Sequence, residues 1–232
     1  MDDTGSHRLS VAPMMAVTDR HFRYFMRQLT RRTKLYTEMY VDNTLIHNTA
    51  KLYHFLGHDN LEHPLAVQLG GCDPETVSQA AKICEEWGGF SEVNLNVGCP
   101  SKKVQNRCFG AVLMLEPERV RKITYGMIRT LCRTPVTVKC RIGVDATDSY
   151  DDLAGFVQAV RSAGVDHIAV HARKALLGGI VTPKGNRSVP PLRHGVVHRL
   201  AKDFPELTVV LNGGIQDLEA ALEHVEGRGE WG

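Results

Sequence analysis

The sequence predicts an α/β fold in which parallel strands curve into a barrel of the (β/α)8 type that lacks its eighth strand. Strand-like and helix-like segments alternate along 232 residues, and the strand-like segments are rich in Val, Ile and Leu. Strands with this composition are typical of parallel sheets buried on both faces. Polar residues and glycines gather where the strands end, and in a parallel barrel these points share one rim.

Seven strands are predicted, at residues 9–14, 35–39, 65–69, 91–96, 135–141, 167–171 and 207–212. A doubly wound open sheet is the alternative. Such sheets usually carry a Gly-rich loop after the first strand. Here Pro13-Met14-Met15-Ala16 occupies that position and lacks the glycines, which favours the barrel.

Helices are predicted between the strands from apolar residues at helical spacing. Asp19 is the expected N-cap of the first helix. Its buried face is expected to be formed by Phe22, Phe25, Met26 and Leu29. Pro74 and Pro117 each stand where a helix should begin. Asp217 is the expected cap of the last helix. Further helices are predicted at 74–84, 117–131, 150–163, 196–202 and 218–225.

Composition excludes several classes of protein. The chain is 43% hydrophobic and 23% charged, with a formal net charge of +2, which is ordinary for a globular protein. Six cysteines lack a Cys-x-x-Cys spacing, so neither a disulfide framework nor a zinc or iron–sulfur site is expected. The pairs of histidines four residues apart lack a third ligand, and no metal site is predicted. A polar N-terminus and the absence of an apolar span predict a cytoplasmic protein away from membranes, with an organelle as the alternative.

Cys99 is the first candidate for chemistry. It follows a predicted strand in the run Asn94 to Pro100, where Gly98 permits unusual dihedrals and Pro100 fixes its own φ. A thiol on such a turn could be held rigidly over a ligand. A buried cysteine without a chemical role fits the same residues.

Other strand ends carry residues suited to an anionic or planar ligand. Lys139 lies within an apolar strand, where burying its charge is costly without a partner. Asn212-Gly213-Gly214 precedes a helix and could hold a phosphate through backbone N–H groups. Gln68 and His171 end two further strands. Each of these also has a purely structural interpretation, but one shared site would explain all of them.

Two loops are basic. One follows the sixth strand, and the other follows Cys99 and contains Lys102, Lys103 and Arg107. Solvated loops often carry charge, yet two basic loops beside one site favour a polyanionic partner. The first loop contains Arg173, Lys174, Lys184, Asn186 and Arg187.

Taken together, these residues resemble the tRNA-dihydrouridine synthases, specifically the A-type subfamily. The resemblance runs from about Val11 to Leu222. It rests on Ala12-Pro13-Met14, Val67-Gln68-Leu69-Gly70-Gly71, Asn94 to Ser101, Phe109-Gly110-Ala111, Val138 to Asp145, His171 to Ala175, Pro183-Lys184, Asn186-Arg187, Pro190-Pro191-Leu192 and Asn212 to Ile215. Each motif alone is weak, but the ordered set is specific.

The resemblance implies a flavin-dependent TIM barrel that reduces uracil in the D-loop of tRNA, at uridines 20 and 20a, with FMN as cofactor and NADPH as reductant. It implies that Cys99 protonates C5 while the flavin delivers hydride to C6, and that Asn96 lies near the target base. The positions matching FMN contacts are Pro13, Met14, Met15, Gln68, Lys139, His171, Asn212, Gly213 and Gly214. Those matching tRNA contacts are Arg173, Lys174, Lys184 and Arg187. A monomer is expected.

The sequence departs from the family pattern in three places. Arg107-Cys108 and Val112 vary the loop after Cys99, and Val181-Thr182 and Gly185 vary the basic loop. The family would continue beyond residue 225 into an eighth strand and a helical tRNA-binding domain. The expected organisation is therefore a tail at 1–8, a truncated FMN-binding barrel at 9–225 and an irregular tail at 226–232.

Two alternatives stay open at this point. An inactive remnant that only binds RNA or a partner is consistent with the missing strand. A flavin oxidoreductase acting on a free pyrimidine or enone would use the same residues without tRNA.

Overall fold

The computed structural model describes residues 8–178 and 182–226. Within them, six strands form one sheet in chain order, and every described strand pairing is parallel. The strands are β1 Leu35–Val41, β2 Leu65–Gly70, β3 Glu92–Val97, β4 Val136–Arg141, β5 His167–His171 and β6 Thr208–Asn212. The predicted parallel α/β fold is confirmed, and the sheet is consistent with an incomplete barrel.

The predicted extent of the first strand, residues 9–14, is wrong. In the described part of the chain it is reduced to one parallel bridge between Ser10 and Lys34. Lys34 N–H donates to the Leu9 carbonyl at 3.0 Å, and Val11 N–H donates to the Lys34 carbonyl at 2.9 Å. Pro13, two residues further on, has no N–H with which to continue a ladder. The segment therefore starts to pair with the chain leading into β1 and then leaves it.

Helices connect the strands. They are α1 Arg20–Leu29, α2 Asp42–His47, α3 Leu52–Leu56, α4 Pro74–Trp87, α5 Lys102–Gln105, α6 Pro117–Thr130, α7 Tyr150–Ser162, α8 His194–Asp203 and α9 Leu218–Glu226. The long helices agree with the predicted ones. The three short ones, α2, α3 and α5, were not predicted because periodicity cannot be read from so few residues.

The chain divides into two compact units. The first comprises the residues up to Leu95 together with Ile123–Thr137, and the second comprises Asn96–Lys122 together with the residues from Val138 onward. Of the predicted tails, residues 1–7 and 227–232 lie outside the described residues, as does Val181. Glu226 belongs to α9, so the irregular tail does not begin there.

In the first unit, Asp19 caps α1 by accepting the Phe22 N–H at 2.8 Å, as predicted. The predicted apolar face of this helix is wrong. Arg23 and Arg27 are its buried residues, whereas Phe25 and Leu29 are 60% and 67% exposed.

Glu62 explains why α1 turns its arginines inward. Arg23 Nε lies 2.6 Å from Glu62 Oε2, and Arg27 Nη2 donates to the Glu62 carbonyl at 2.7 Å. Such acceptors offset much of the cost of burying a guanidinium, although Arg27 Nε is buried without a partner among the described atoms. Apolar spacing in the sequence cannot reveal such a partner, which lies in a different segment.

In the second unit, α7 follows a capping box in which Ser149 and Asp152 each bond the other's backbone N–H. Its inward face holds Leu153, Phe156, Val157 and Val160. At α9, Asp217 Oδ1 accepts the Ala220 N–H at 2.8 Å, which confirms the predicted cap. In chain order β5 follows α7 and β6 precedes α9, and several candidate residues lie at the ends of these two strands.

Candidate active site

Cys99 lies in a turn directly after β3, and that turn is fixed by Asn96. Asn96 Oδ1 accepts the Gly98 N–H at 3.2 Å and the Cys99 N–H at 2.9 Å. An asparagine that bonds the backbone just ahead of it forms a rigid local turn. The Cys99 carbonyl accepts the Ala111 N–H at 2.9 Å. The Cys99 backbone is therefore held by hydrogen bonds at both its N–H and its carbonyl group.

The Cys99 side chain is a protonated thiol at neutral pH. Burial raises its pKa above the ordinary value, and the Ser101 backbone N–H and the cations of Arg141 and Lys139 lower it by less. A thiol is the form that can donate a proton, whereas a nucleophilic cysteine needs the thiolate. The site therefore suits Cys99 to general acid chemistry.

Gly110 allows the loop after α5 to come close to Cys99. Its φ is +75°, and a Cβ there would lie 2.6 Å from the Cys99 carbonyl oxygen and 2.6 Å from Val104 Cγ1. Any side chain at this position would displace the turn that holds the thiol. The sequence motif Phe109-Gly110-Ala111 contained this residue, but nothing in the sequence alone assigned it to the Cys99 turn.

Lys139 and Asn212 are two predicted cofactor residues that the structure brings together. Lys139 Nζ donates to Asn212 Oδ1 at 2.8 Å. Burial, followed by the nearby Arg141, lowers the pKa of Lys139 to about 8. Within the described ranges, no carboxylate pairs with this ammonium group, which leaves it available to an anion.

His171 lies beside Asn212 in the parallel register of β5 and β6. Burial, followed by the cations of Lys139, Arg141, Arg173 and Arg187, lowers its pKa to about 2. The imidazole is therefore neutral at physiological pH. The same cations make its surroundings strongly electropositive, as expected of a site for an anionic group.

The backbone after β6 approaches His171 closely. Gly213 has a φ of +106°, and a Cβ there would lie 2.4 Å from His171 Cδ2. Gly214 has a φ of +76°, and its Cβ would lie 2.3 Å from Leu192 Cδ1. Since Asp217 already caps α9, a phosphate here would rely on the glycine N–H groups and nearby cations rather than on the helix end.

The remaining predicted cofactor residues belong to the first unit. Met14 and Met15 are 39% and 59% exposed, and Pro13 precedes them at partial exposure. Met14 N–H donates to Thr18 Oγ1 at 3.0 Å, which forms a tight turn. Gln68 is buried, and its Nε2 donates to Asn94 Oδ1 at 2.8 Å. These residues stay predictions as cofactor contacts.

Lys174 does not present a free charge. Its Nζ lies 3.0 Å from Asp148 Oδ2 and donates to the Asp145 carbonyl at 2.9 Å. Asp148 also pairs with Arg193 at 3.2 Å. Lys174 therefore fixes its own loop, which weakens its candidacy as an RNA contact.

Arg173, Lys184 and Arg187 are better placed for an external anion. Lys184 and Arg187 are exposed. Arg173 donates to the Pro190 carbonyl through Nη1, while its Nε is buried without a partner among the described atoms. Buried N–H groups are rarely left unpaired, so Arg173 Nε is a donor that an anionic ligand could use.

Arg141 is the residue whose role sequence reasoning missed. It is the last residue of the predicted strand 135–141, and the sequence alone assigns no function to it. It is 4% exposed, and its Nε donates to the Gly98 carbonyl at 2.9 Å. One feature of the sequence could have indicated it. Arg141 lies two residues after Lys139, which places both side chains on the same face of β4.

Two further features bear on the predicted classes. No group of three or more His, Cys, Asp or Glu residues within the described ranges could hold a metal ion. None of the helices in the described part of the chain combines the length and apolar character needed to cross a membrane.

Comparison with known proteins identifies a family. A model of the family described as dihydrouridine synthase (Dus) matches residues 10–232. Proteins named tRNA-dihydrouridine(20/20a) synthase are similar to the chain. The protein from Pseudomonas putida is 52% identical over 221 residues, covering 95% of this chain and 64% of its own length. The protein from Synechocystis is 49% identical over 223 residues, covering 96% and 65%.

The matching protein from Vibrio parahaemolyticus is 48% identical over 228 residues, covering 97% of this chain and 68% of its own length. The chain thus spans about two thirds of the curated relatives it matches. Among solved structures, a lyase/mutase from Burkholderia cenocepacia aligns with a TM-score of 0.57 at 12% identity, covering 94% of this chain and 74% of that one. That likeness concerns the fold alone.

Proposed function

The chain belongs to the dihydrouridine synthase family, and from this premise we propose that it carries the catalytic centre of a tRNA-dihydrouridine synthase. The substrate would be uracil in tRNA, at uridines 20 and 20a, as the names of its relatives suggest. The reaction reduces the C5–C6 double bond. One hydride is added at C6 and one proton at C5.

The observation that carries this proposal is the partly buried Cys99 thiol directly after β3, whose pKa is raised by burial in spite of the charges of Arg141 and Lys139. Addition of hydride at C6 makes C5 basic, so an acid must be positioned to supply a proton there. Asn96 and Ala111 hold the backbone of this acid. Rigid placement of the acid is the contribution that a protein makes when a cofactor carries the redox chemistry.

We propose FMN as that cofactor, with NADPH as the reductant. When bound, the flavin would supply the hydride that no side chain can provide. The second unit offers donors suited to an anionic ligand at Lys139, Arg173 and the backbone of Gly213-Gly214. The partnerless Nε of Arg173 and the absence of a carboxylate beside Lys139 within the described residues both fit this assignment.

The tRNA would be held by exposed cations on the loops after β5. Lys184 and Arg187 are exposed and would contact phosphates, which dominate the affinity of most RNA-binding proteins. Lys174 is engaged with Asp148 and would act by shaping its loop. The target uracil would need to leave its stack to reach a thiol that is largely buried.

The test is a reduction assay with two substrates. The purified chain is supplied with FMN and NADPH, then with tRNA lacking dihydrouridine or with free uridine. Dihydrouridine is quantified by mass spectrometry. The proposal expects product from tRNA and none from free uridine. Product from free uridine at an equal rate would instead indicate a general pyrimidine reductase, and tRNA binding without any product would indicate an inactive RNA-binding protein.

A further inference from the structure

Arg141 connects three separate segments of the second unit. It lies at the end of β4 and is 4% exposed. Its Nε donates to the Gly98 carbonyl at 2.9 Å, and its Nη1 donates to the carbonyls of Lys174 at 3.1 Å and Asn186 at 3.0 Å. The first carbonyl belongs to the Cys99 turn. The other two belong to the basic connection after β5, which has two described parts, the loops 173–178 and 182–187.

The two loops bound by Arg141 are also hydrogen-bonded to each other through Asn186. Asn186 is fully buried. Its Oδ1 accepts the Leu176 N–H at 2.7 Å, and its Nδ2 donates to the Leu176 carbonyl at 3.1 Å. Arg173 and Arg187 therefore sit on loops whose backbone is set by Arg141 and Asn186 together. A substitution at Arg141 would therefore alter the backbone position of the Cys99 turn and of both loops.

The energetics argue for a role beyond packing. None of the ion pairs in the described part of the chain includes Arg141. Burial, together with the cations of Arg173 and Arg187, lowers its pKa to about 10. A buried charge without a counter-ion lowers stability compared with an apolar side chain of similar size. The carbonyl bonds offset part of this cost, but an apolar residue would avoid it altogether.

We propose that Arg141 is a positioning residue that sets the Cys99 turn and the loops carrying Arg173 and Arg187 at a fixed spacing. This inference rests on the proposed function, in which the thiol and the basic loops act on one tRNA. A planar guanidinium can bond carbonyls that lie in different directions around its edge. A lysine ammonium lacks this planar set of donors. Arg141→Lys would therefore keep the positive charge but lose the fixed spacing between the Cys99 turn and the two loops.

The first test measures hydrogen exchange in the purified chain without FMN or tRNA. In Arg141→Lys, amide exchange should speed up about tenfold or more in the segments 98–101, 173–178 and 182–187, while α4 stays at the wild-type rate. Arg161→Lys is the matched control, because Arg161 pairs with exposed Glu206 at 2.6 Å, away from these loops. Unchanged exchange in the three segments overturns the inference, whatever the chain proves to catalyse.

The second test separates positioning from general loss of stability. With FMN, at a temperature at which both proteins are fully folded, Arg141→Lys should lower kcat for tRNA reduction about tenfold to a hundredfold, because misplacement by about 1 Å costs this much. Flavin reduction by NADPH should change less than about twofold. An equal loss in both steps, or a loss in neither, contradicts a positioning role. A wild-type chain without activity would instead contradict the proposed function, and the exchange measurement would still decide the role of Arg141.

Discussion

Lys34 and Glu92 form an ion pair inside the first unit, with Nζ and Oε2 separated by 2.7 Å and side chains only 2% and 1% exposed. The other carboxylate oxygen, Oε1, accepts the Tyr36 hydroxyl at 2.6 Å and the Thr137 hydroxyl at 3.1 Å. The carboxylate is therefore satisfied on both oxygens, and the interior of this unit contains a hydrogen-bonded polar cluster.

Replacing Glu92 by Gln should be strongly destabilising. The change leaves the buried Lys34 ammonium without its counter-charge, which typically costs about 3–5 kcal/mol. Chemical denaturation of the two proteins measures the difference. Glu86→Gln is the control, because Glu86 forms an exposed pair with Lys82 at 3.7 Å, and such pairs contribute about 0–1 kcal/mol. Equal costs at the two positions would show that the burial of this pair has no energetic consequence.

Cys99→Ala should abolish dihydrouridine formation in tRNA while leaving flavin reduction by NADPH largely intact. Under the proposed function, the thiol supplies the proton and takes no part in the delivery of hydride to the cofactor. Single-turnover reoxidation of the reduced flavin by tRNA is the measurement, with a loss of about a hundredfold or more expected for removal of a general acid. Cys132→Ala is the matched control, since Cys132 is exposed on the loop after α6. Turnover by Cys99→Ala at the wild-type rate would remove Cys99 from the mechanism.

Lys139→Met should weaken FMN binding by about tenfold or more, as expected for loss of a charge-assisted hydrogen bond. Fluorescence titration of apoprotein with FMN gives the dissociation constant. Lys122→Met, an exposed change on α6, should leave it unaltered. An unaltered constant for Lys139→Met would show that this lysine does not face the cofactor.

The pH dependence of FMN binding should follow Lys139. Its pKa of about 8 in the unliganded protein means that the ammonium form dominates below pH 8 and is lost above it. Affinity for an anionic ligand should therefore fall as the pH rises through 8, and this fall should be absent in Lys139→Met. A wild-type affinity that is flat between pH 7 and 9 would contradict the assignment.

Glu85 should contribute to acid stability. Its carboxylate accepts backbone N–H groups of Cys132, Arg133 and Thr134 at 2.8–2.9 Å. These bonds, that of Cys132 first, lower its pKa from 4.5 to about 2. A depressed folded-state pKa gives stability that is complete above the unfolded value and is lost as the pH falls towards 2.

Glu85→Gln tests this directly. The difference in unfolding free energy between wild type and variant should be constant above about pH 5 and should shrink steadily between pH 4.5 and 2. Glu86→Gln, at the adjacent exposed position of the same helix, should show no such trend. A difference that does not depend on pH would mean that the three backbone bonds do not stabilise the charged form.

The sequence predicted those parts of the structure that depend on neighbouring residues. The Gly98-Cys99-Pro100 turn, the Asp19 and Asp217 caps and the long helices all follow from local rules. The pairing of Lys139 with Asn212 was not predicted, although both residues were singled out, because their contact depends on the order of β4, β5 and β6 in the sheet.

The failures have a common physical cause. The inward face of α1 was assigned to apolar residues because the carboxylate that accepts Arg23, Glu62, lies far along the chain. The ion pair of Lys174 with Asp148 was not predicted because Asp148 precedes it by a helix and a strand, and the assignment of Lys174 to tRNA stays a prediction. In each case a residue far away in the sequence determines whether a charged side chain is buried or paired, and composition and periodicity cannot identify that residue.

Gly110 makes the position of the Cys99 thiol depend on a residue that has no side chain of its own. Because a methyl group there would collide with the Cys99 carbonyl oxygen and with Val104, even alanine would move the thiol without altering its chemical nature. A genetic screen for loss of tRNA modification should therefore recover substitutions at position 110 about as readily as at position 99. If the chain binds FMN as proposed, both kinds of mutant protein would keep the flavin and look alike by colour, but only the Gly110 mutants would keep the thiol.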